Sequence, residues 1–353
     1  MKKSILLILL TFRILTELLS QSCLPNGIFF TYQSQIDSFQ INYPNCSEIE
    51  GYVSIFGSDI NNLDGINSIQ SVIGDFSIHG HLNGTYNKLT DLNGLENLTT
   101  VGGKLSINGN INLKNLTGLS NLNYIGGTLY IWNNDSLLNL SGLNVLSIIG
   151  RGLSIAGNKS LVNVNGIENL TTINGGILIQ DNDLLLDIEG LININDIGGG
   201  ILAIEYNDNL AKLTGLDSIN YESIERVSIL HNQSLSTCNI KSICDFLSID
   251  SSEVNIHHNL TGCNSEEEVQ SACLVFTREN KIAEDILFWP NPAETRITVQ
   301  SNFTEVCIYD LLGHKILLSR QGKEIDVSAL ETGLYIIEII IDKEVVRKKL
   351  IKK

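Results

Sequence analysis

The stretch GLSNLNYIGGTLYIWNNDSLLNLS, residues 118–141, decides the fold. Its phrase recurs along the chain: glycine and leucine, a second leucine, Ile-Gly-Gly, Leu-x-Ile, then asparagine and further leucines. The leading glycines are Gly65, Gly94, Gly118, Gly142, Gly166, Gly190 and Gly215, which gives steps of 29, then 24 four times, then 25. So constant a period means stacked copies of one structural unit. Aligned on those glycines, Leu95, Leu119, Leu143, Ile167 and Leu191 form one apolar column, and Leu98, Leu122, Leu146, Leu170 and Ile194 a second. Val101, Ile125, Ile149, Ile173 and Ile197 form a third. The pairs Leu105/Ile107, Leu129/Ile131, Leu153/Ile155 and Ile177/Ile179 alternate as a short strand with one buried face. In the next copy the pair Leu202/Ile204 lies one place late, because Gly198-Gly199-Gly200 inserts a residue in the turn.

A single copy cannot bury its apolar edge. Stacking sets leucine on leucine, with parallel strands about 4.8 Å apart, and makes one continuous core. The paired glycines before each strand supply corners where backbones come close. Asn110, Asn134, Asn158, Asn182 and Asn207 follow the strands, where a side-chain amide can satisfy backbone groups of a neighbouring turn. The copy after Gly65 carries five extra residues around Asn83-Gly84-Thr85, which predicts a protruding loop. Val227/Ile229 and Val254/Ile256 read as degraded last copies, with a capping helix expected over Lys241 to Ser248 between them.

The first residues, Met1-Lys2-Lys3 followed by an apolar run and small residues by Ser20 to Ser22, read as a secretory signal peptide over 1–22. They do not read as a transmembrane span, because Arg13 and Glu17 interrupt a stretch too short to cross a bilayer. The chain holds 23 Lys+Arg against 39 Asp+Glu, a formal net charge of −16. That balance excludes nucleic acid as a partner and disfavours anionic membrane. Six of seven cysteines flank the copies, Cys23 and Cys46 before them and Cys238, Cys244, Cys263 and Cys273 after them. Disulfides there would seal the two ends of a stack in an oxidising compartment. Cys23 is expected to pair with Cys46, and the last four allow three pairings.

With Asn42 to Ile55 opening the array on Cys46, Gly51 and a first strand, the chain resembles the receptor L-domain family, the leucine-rich ligand domains of insulin-type and epidermal-growth-factor-type receptors. The resemblance spans Cys46 to Cys273. It implies a right-handed, three-sided parallel β-solenoid within a domain at 23–276.

Charged residues from Thr277 to Asp285 mark a linker at 277–286. Beyond it, short β-rich runs separated by turn signals predict a small antiparallel sandwich over 287–353. This segment resembles the C-terminal sorting domain of the type nine (Por) secretion system. The residues that carry the likeness are Pro290-Asn291-Pro292-Ala293, Val306 to Asp310 with Gly313, Gly333-Leu334-Tyr335, and a basic tail with Lys348 and Lys349. It implies export by the outer-membrane translocon and a secreted or surface-attached protein of a Gram-negative bacterium. Cys307 is expected to be a buried small hydrophobe.

No catalytic motif accompanies this architecture. The six histidines never take a His-Glu-x-x-His spacing, and there is no nucleophile elbow or phosphate loop. No metal or cofactor is assigned: His79/His81 and His257/His258 read as solvated loop residues, and Asp181 to Asp183 and Asn207 to Asn209 lack a full calcium set. Triplets such as Asn97-Leu98-Thr99 coincide with the repeat and read as turns, not glycan acceptors. What remains is the outward strand face, beside each buried Leu-x-Ile pair. Most of its residues are small or polar, with His79, Asn108, Tyr130, Trp132, Gln180 and Glu205 as the candidate ligand-binding set. The expected function is non-catalytic recognition of an extracellular protein or glycan by a monomer. The alternative is a secreted β-helix enzyme that degrades polysaccharide, although Asp75 and Glu205 fall on different rungs.

Overall fold

A computed structural model describes residues 21–82, 85–249, 252–274, 288–300, 303–320, 323–341 and 344–353. The expected leader, apart from Gln21 and Ser22, and the expected linker lie outside these residues. The chain divides into two compact units, Met1–Gln270 and Ser271–Lys353.

In the first unit the turns feed two parallel sheets. The ten-stranded sheet runs through Ile28–Phe30, Val53–Ile55, Phe76–His79, Leu105–Asn108, Leu129–Trp132, Leu153–Ala156, Ile177–Gln180, Gly200–Glu205, Ile224–Leu230 and Glu253–His257, each bonded to the next. A seven-stranded sheet runs from Gln21–Cys23 through two-residue strands such as Tyr124–Ile125 to Thr172–Ile173. Register is kept from rung to rung: Leu105 lies opposite Leu129, Leu129 opposite Leu153, and Leu153 opposite Ile177. Ile177 lies opposite Leu202, so the extra residue in Gly198-Gly199-Gly200 is absorbed before the strand pairs. In the copy at 118–141, Leu119, Leu122, Ile125, Leu129, Ile131, Leu137 and Leu140 are all fully buried. Each such side chain contributes about 1.5–3 kcal/mol by leaving water.

Two backbone devices set the spacing of the stack. A Cβ on Gly118 would lie 1.9 Å from the carbonyl oxygen of Leu92, and one on Gly142 would lie 2.0 Å from that of Leu116. The recurring glycine is therefore the point where one turn rests on the backbone of the turn before it. Gly142 also has φ +117°, a region closed to most L-residues. The second device is the asparagine column, buried and continuous. The backbone N–H of Asn134 donates to Asn158 Oδ1 at 3.0 Å, and that of Asn158 donates to Asn182 Oδ1 at 3.1 Å. In return Asn158 Nδ2 donates to the Ile131 carbonyl at 2.8 Å. The column extends past both ends of the regular repeats, from Asn87 through Asn232 to Asn259. Buried polar groups that would cost free energy unpaired are thus bonded at every turn.

The caps differ from what the period implies. The stack does not begin at Val53 to Ile55, because Ile28–Phe30 already pairs with that strand as an earlier rung. Two short helices, Gln33–Asp37 and Phe39–Asn42, cover this end with buried Ile36 and Phe39, the latter edge-on to Phe30 at 5.7 Å. Gln35 Oε1 accepts the Thr31 and Tyr32 amides and fixes the chain's entry into the first helix. At the other end the helix Lys241–Leu247 buries Ile243 and Phe246. Disulfides join Cys23 to Cys46 and Cys238 to Cys263. Cys244 and Cys273 are also disulfide-bonded. The insertion after Gly80 folds back as a small antiparallel ribbon, His81 opposite Tyr86.

The second unit has a three-stranded and a four-stranded antiparallel sheet. Their inner faces enclose Ile297, Val299, Val306, Ile308, Ile325, Ile337, Ile339 and Leu350. Cys307 carries a free, fully buried thiol. Asn291 Nδ2 donates to the Lys349 carbonyl and Asn291 Oδ1 accepts the Ile351 amide, both at 2.9 Å. The Pro-Asn-Pro segment is thereby laced to the terminal strand Glu344–Lys352. Gly313 takes φ +85° in a turn closed by Asp310, whose carboxylate accepts the His314 and Leu312 amides. Those bonds, the His314 amide first, hold the Asp310 carboxyl below the usual carboxylate range. Gly333 opens the strand Gly333–Ile341, and the Tyr335 hydroxyl donates to the Glu331 carbonyl. Lys349 pairs with Ile336, and Lys348 with Ile337.

Candidate functional site

The register of the ten-stranded sheet fixes what the outer face displays. Second-position residues line up as Ser77, Ser106, Tyr130, Ser154, Leu178, Ala203 and Ser228. Fourth-position residues line up as His79, Asn108, Trp132, Ala156, Gln180, Glu205 and Leu230. Outward does not mean exposed here. Ser77, Ser106, Ser154 and Ala203 are buried, because strands this close let larger neighbours cover small residues. They form a floor from which Tyr130 and Trp132 rise.

Those two rings meet edge to face with centroids 4.9 Å apart. The indole N–H of Trp132 donates to Ser154 Oγ at 2.8 Å, which fixes the ring across the neighbouring rung. The pair is a ridge between two depressions. On one side a depression of about 280 Å3 is lined by Ser77, His79, Lys104, Ser106 and Asn108. On the other a larger, more apolar one of about 620 Å3 reaches Arg151, Ser154, Leu178 and Ala203. His79, Asn108, Tyr130 and Trp132 are therefore brought together. Gln180 and Glu205 stand two and three strands beyond Trp132 and line neither depression. Gln180 donates to Asp181, and Glu205 accepts from Ser228 Oγ.

Burial, and then the nearby Lys104 ammonium, lower the His79 pKa below its ordinary value, so its imidazole is neutral at physiological pH. Lys104 in turn pairs with Asp75 at 3.4 Å across a half-exposed surface, a contact of small energetic weight. A third recess, toward the strand ends, is lined by His79, Asn108, Tyr86, Asp135 and Lys159, with Lys159 bonded to Asp135 at 2.8 Å. Tyr86 comes from the inserted ribbon and was not among the sequence-derived candidates. The irregular spacing at Asn83-Gly84-Thr85 was the signal that could have flagged it.

The asparagines weighed as calcium ligands have other partners. Asn182 and Asn207 are fully buried, and their amides bond the column. Asn97 Nδ2 donates to the Asn67 carbonyl, which ties that triplet to the preceding turn. Among the described residues no helix is long and apolar enough to cross a membrane.

Fold and face together define a leucine-rich parallel β-solenoid that displays an aromatic ridge, followed by an antiparallel sandwich. Comparison with known families agrees at both ends: residues 45–169 match the Receptor L domain and residues 287–353 match the secretion system C-terminal sorting domain. The rung geometry continues well past the first match, to His257. No curated protein matches the chain. The sorting domain makes this a protein exported by the type nine system, secreted or attached to the surface of a Gram-negative bacterium.

Proposed function

We propose that the solenoid is a recognition module that binds an extracellular glycan or polypeptide across the Tyr130/Trp132 ridge, with no catalytic step. One observation carries this reading: a fixed aromatic pair stands between two depressions on a face whose other second-position residues are mostly small. Aromatic rings with polar neighbours suit both sugar faces and apolar side chains, and a rigid sheet presents them without an ordering cost. His79 and Asn108 supply hydrogen-bonding groups on one side, and Leu178 supplies apolar contact on the other. Residues 1–22 act as the signal peptide, and the sorting domain engages the secretion translocon. The chain works as a monomer. The alternative, a polysaccharide-degrading enzyme, needs paired acids, yet Asp75 is bonded to Lys104 and Glu205 to Ser228.

The test is capture of surface glycans and proteins on immobilised mature protein, with Tyr130→Ala/Trp132→Ala beside the wild type. Binding to the wild type and its loss in the double variant is the expected result. Equal capture by both would remove the ridge as the site. Release of new reducing ends from a glycan panel would turn the reading to the enzyme.

A further inference from the structure

Away from the ridge, three imidazoles converge where the stack ends. His257 is the fourth-position residue of the last strand, opposite Leu230. His231 and His258 each follow a fourth position on adjacent turns, both left-handed at φ +55° and +57°. Equivalent residues on adjacent turns stack, and these rings lie 4.4 Å apart at 13°. Tyr206 holds the same place one turn earlier, φ +55°, and closes the other face of His231 at 4.6 Å. His257 stands edge-on to His258 at 4.6 Å, with their Nδ1 atoms facing one another. One nitrogen from each histidine lies within 4.8 Å of the other two.

We propose that His231, His257 and His258 form a binding site for a divalent transition metal that prefers imidazole: Zn2+, Cu2+ or Ni2+. An all-nitrogen set selects against Ca2+ and Mg2+, which need oxygen ligands. Tetrahedral coordination at about 2.0–2.1 Å sets ligand nitrogens roughly 3.3 Å apart. The facing Nδ1 atoms of His257 and His258 are already closer than that and open slightly, and the His231 ring turns out of parallel with His258 so that its lone pair reaches the same point. These are side-chain rotations on backbones already joined, His231 N–H to the His257 carbonyl at 3.2 Å. His231 and His257 are half-buried and His258 is exposed, so the remaining coordination position opens to solvent, where water or a donor from a partner completes it. The net charge of −16 favours cation approach. Bound there, the metal ties together the last two turns, which the Cys238–Cys263 disulfide also joins. The linear sequence hides this site because His231 is 26 residues from His257 and meets it only through the parallel register.

The test is calorimetric titration of the untagged mature protein with ZnCl2, NiCl2 and CuCl2, beside a His231→Asn/His257→Gln/His258→Asn variant. These replacements are residues that the same columns carry elsewhere, Asn133 at φ +53° and Gln180, so the turns keep their shape. Circular dichroism and melting of the variant verify this. One ion per chain is expected for at least one of the metals, with affinity falling in the variant by more than the roughly 10–100-fold typical of losing an outer-shell partner. His314→Asn, which lies in the second unit, should bind as the wild type does. Co2+ added to the wild type should give a visible absorption band from nitrogen ligation that the triple variant lacks. Equal affinity in the folded triple variant, or no binding to the wild type by any of the three ions, would overturn the site.

Discussion

The inside and the outside of the solenoid obey different rules. Inside, every turn repeats the last: leucine above leucine, glycine against a carbonyl, asparagine bonded to asparagine. Outside, six successive strands carry His79, Asn108, Trp132, Ala156, Gln180 and Glu205 at one position, with no residue type repeated among those six. Repetition marks the positions that hold the stack together, and departure from it marks where the molecule can meet something else. Tyr130 and Trp132 are the sharpest departure on the regular turns, and the three histidines are the sharpest at the end.

This contrast predicts a graded set of effects. Asn158→Ala should be the most damaging, because it strands the Asn134 amide, the Ile131 carbonyl and part of the Asn182 side chain in the interior. A loss of about 3–5 kcal/mol is expected in urea unfolding, at about 1–3 kcal/mol for each buried group left unpaired. A loss under about 1 kcal/mol would mean that water replaces the amide and the column is not structural. Gly118→Ala should lose less, about 1–3 kcal/mol, because the turn must shift off the Leu92 carbonyl. An unchanged melting curve would show that the turns are more loosely stacked than described.

On the outer face, Asn108→Ala should change stability by no more than about 0.5 kcal/mol, although Asn108 sits two residues from the column at Asn110. A loss matching that of Asn158→Ala would erase the distinction between the two surfaces. The smallest effect is electrostatic. His79 should titrate below 6.5 by NMR, and Lys104→Met should move it upward without restoring the full value, since burial is the larger cause. The folded state holds this imidazole neutral more strongly than the unfolded chain does. Its contribution to stability is therefore present above the unfolded value and lost as pH falls through the lowered folded one. Titration at or above 6.5 would place His79 in open water.

Much of this was legible because periodicity reports whatever recurs. The leucine and asparagine columns, the strand register past the extra glycine at 198–200, and the helix over Lys241–Leu247 all follow from spacing and apolar pattern. The caps were less legible because they occur once. Helices of five and four residues at Gln33–Asp37 and Phe39–Asn42 are too short to show a period, and Ile28–Phe30 has no phrase to align it. Burial of the outer serines was hidden for a different reason. It depends on what lies on adjacent strands, which alternation along one strand does not encode. The histidine cluster needed still more, since it depends on a left-handed position shared by successive turns.

Hydrogen exchange resolved to single amides tests the division most directly. The backbone N–H groups of Asn110, Asn134, Asn158, Asn182 and Asn207 each donate to the amide oxygen of the next turn. They should be among the slowest in the chain and exchange together, whereas Asp135 and Lys159 on the surface turns beside them exchange far faster. Rapid exchange along the asparagine column, at rates no slower than those surface turns, would contradict the stacked interior on which the displayed face depends.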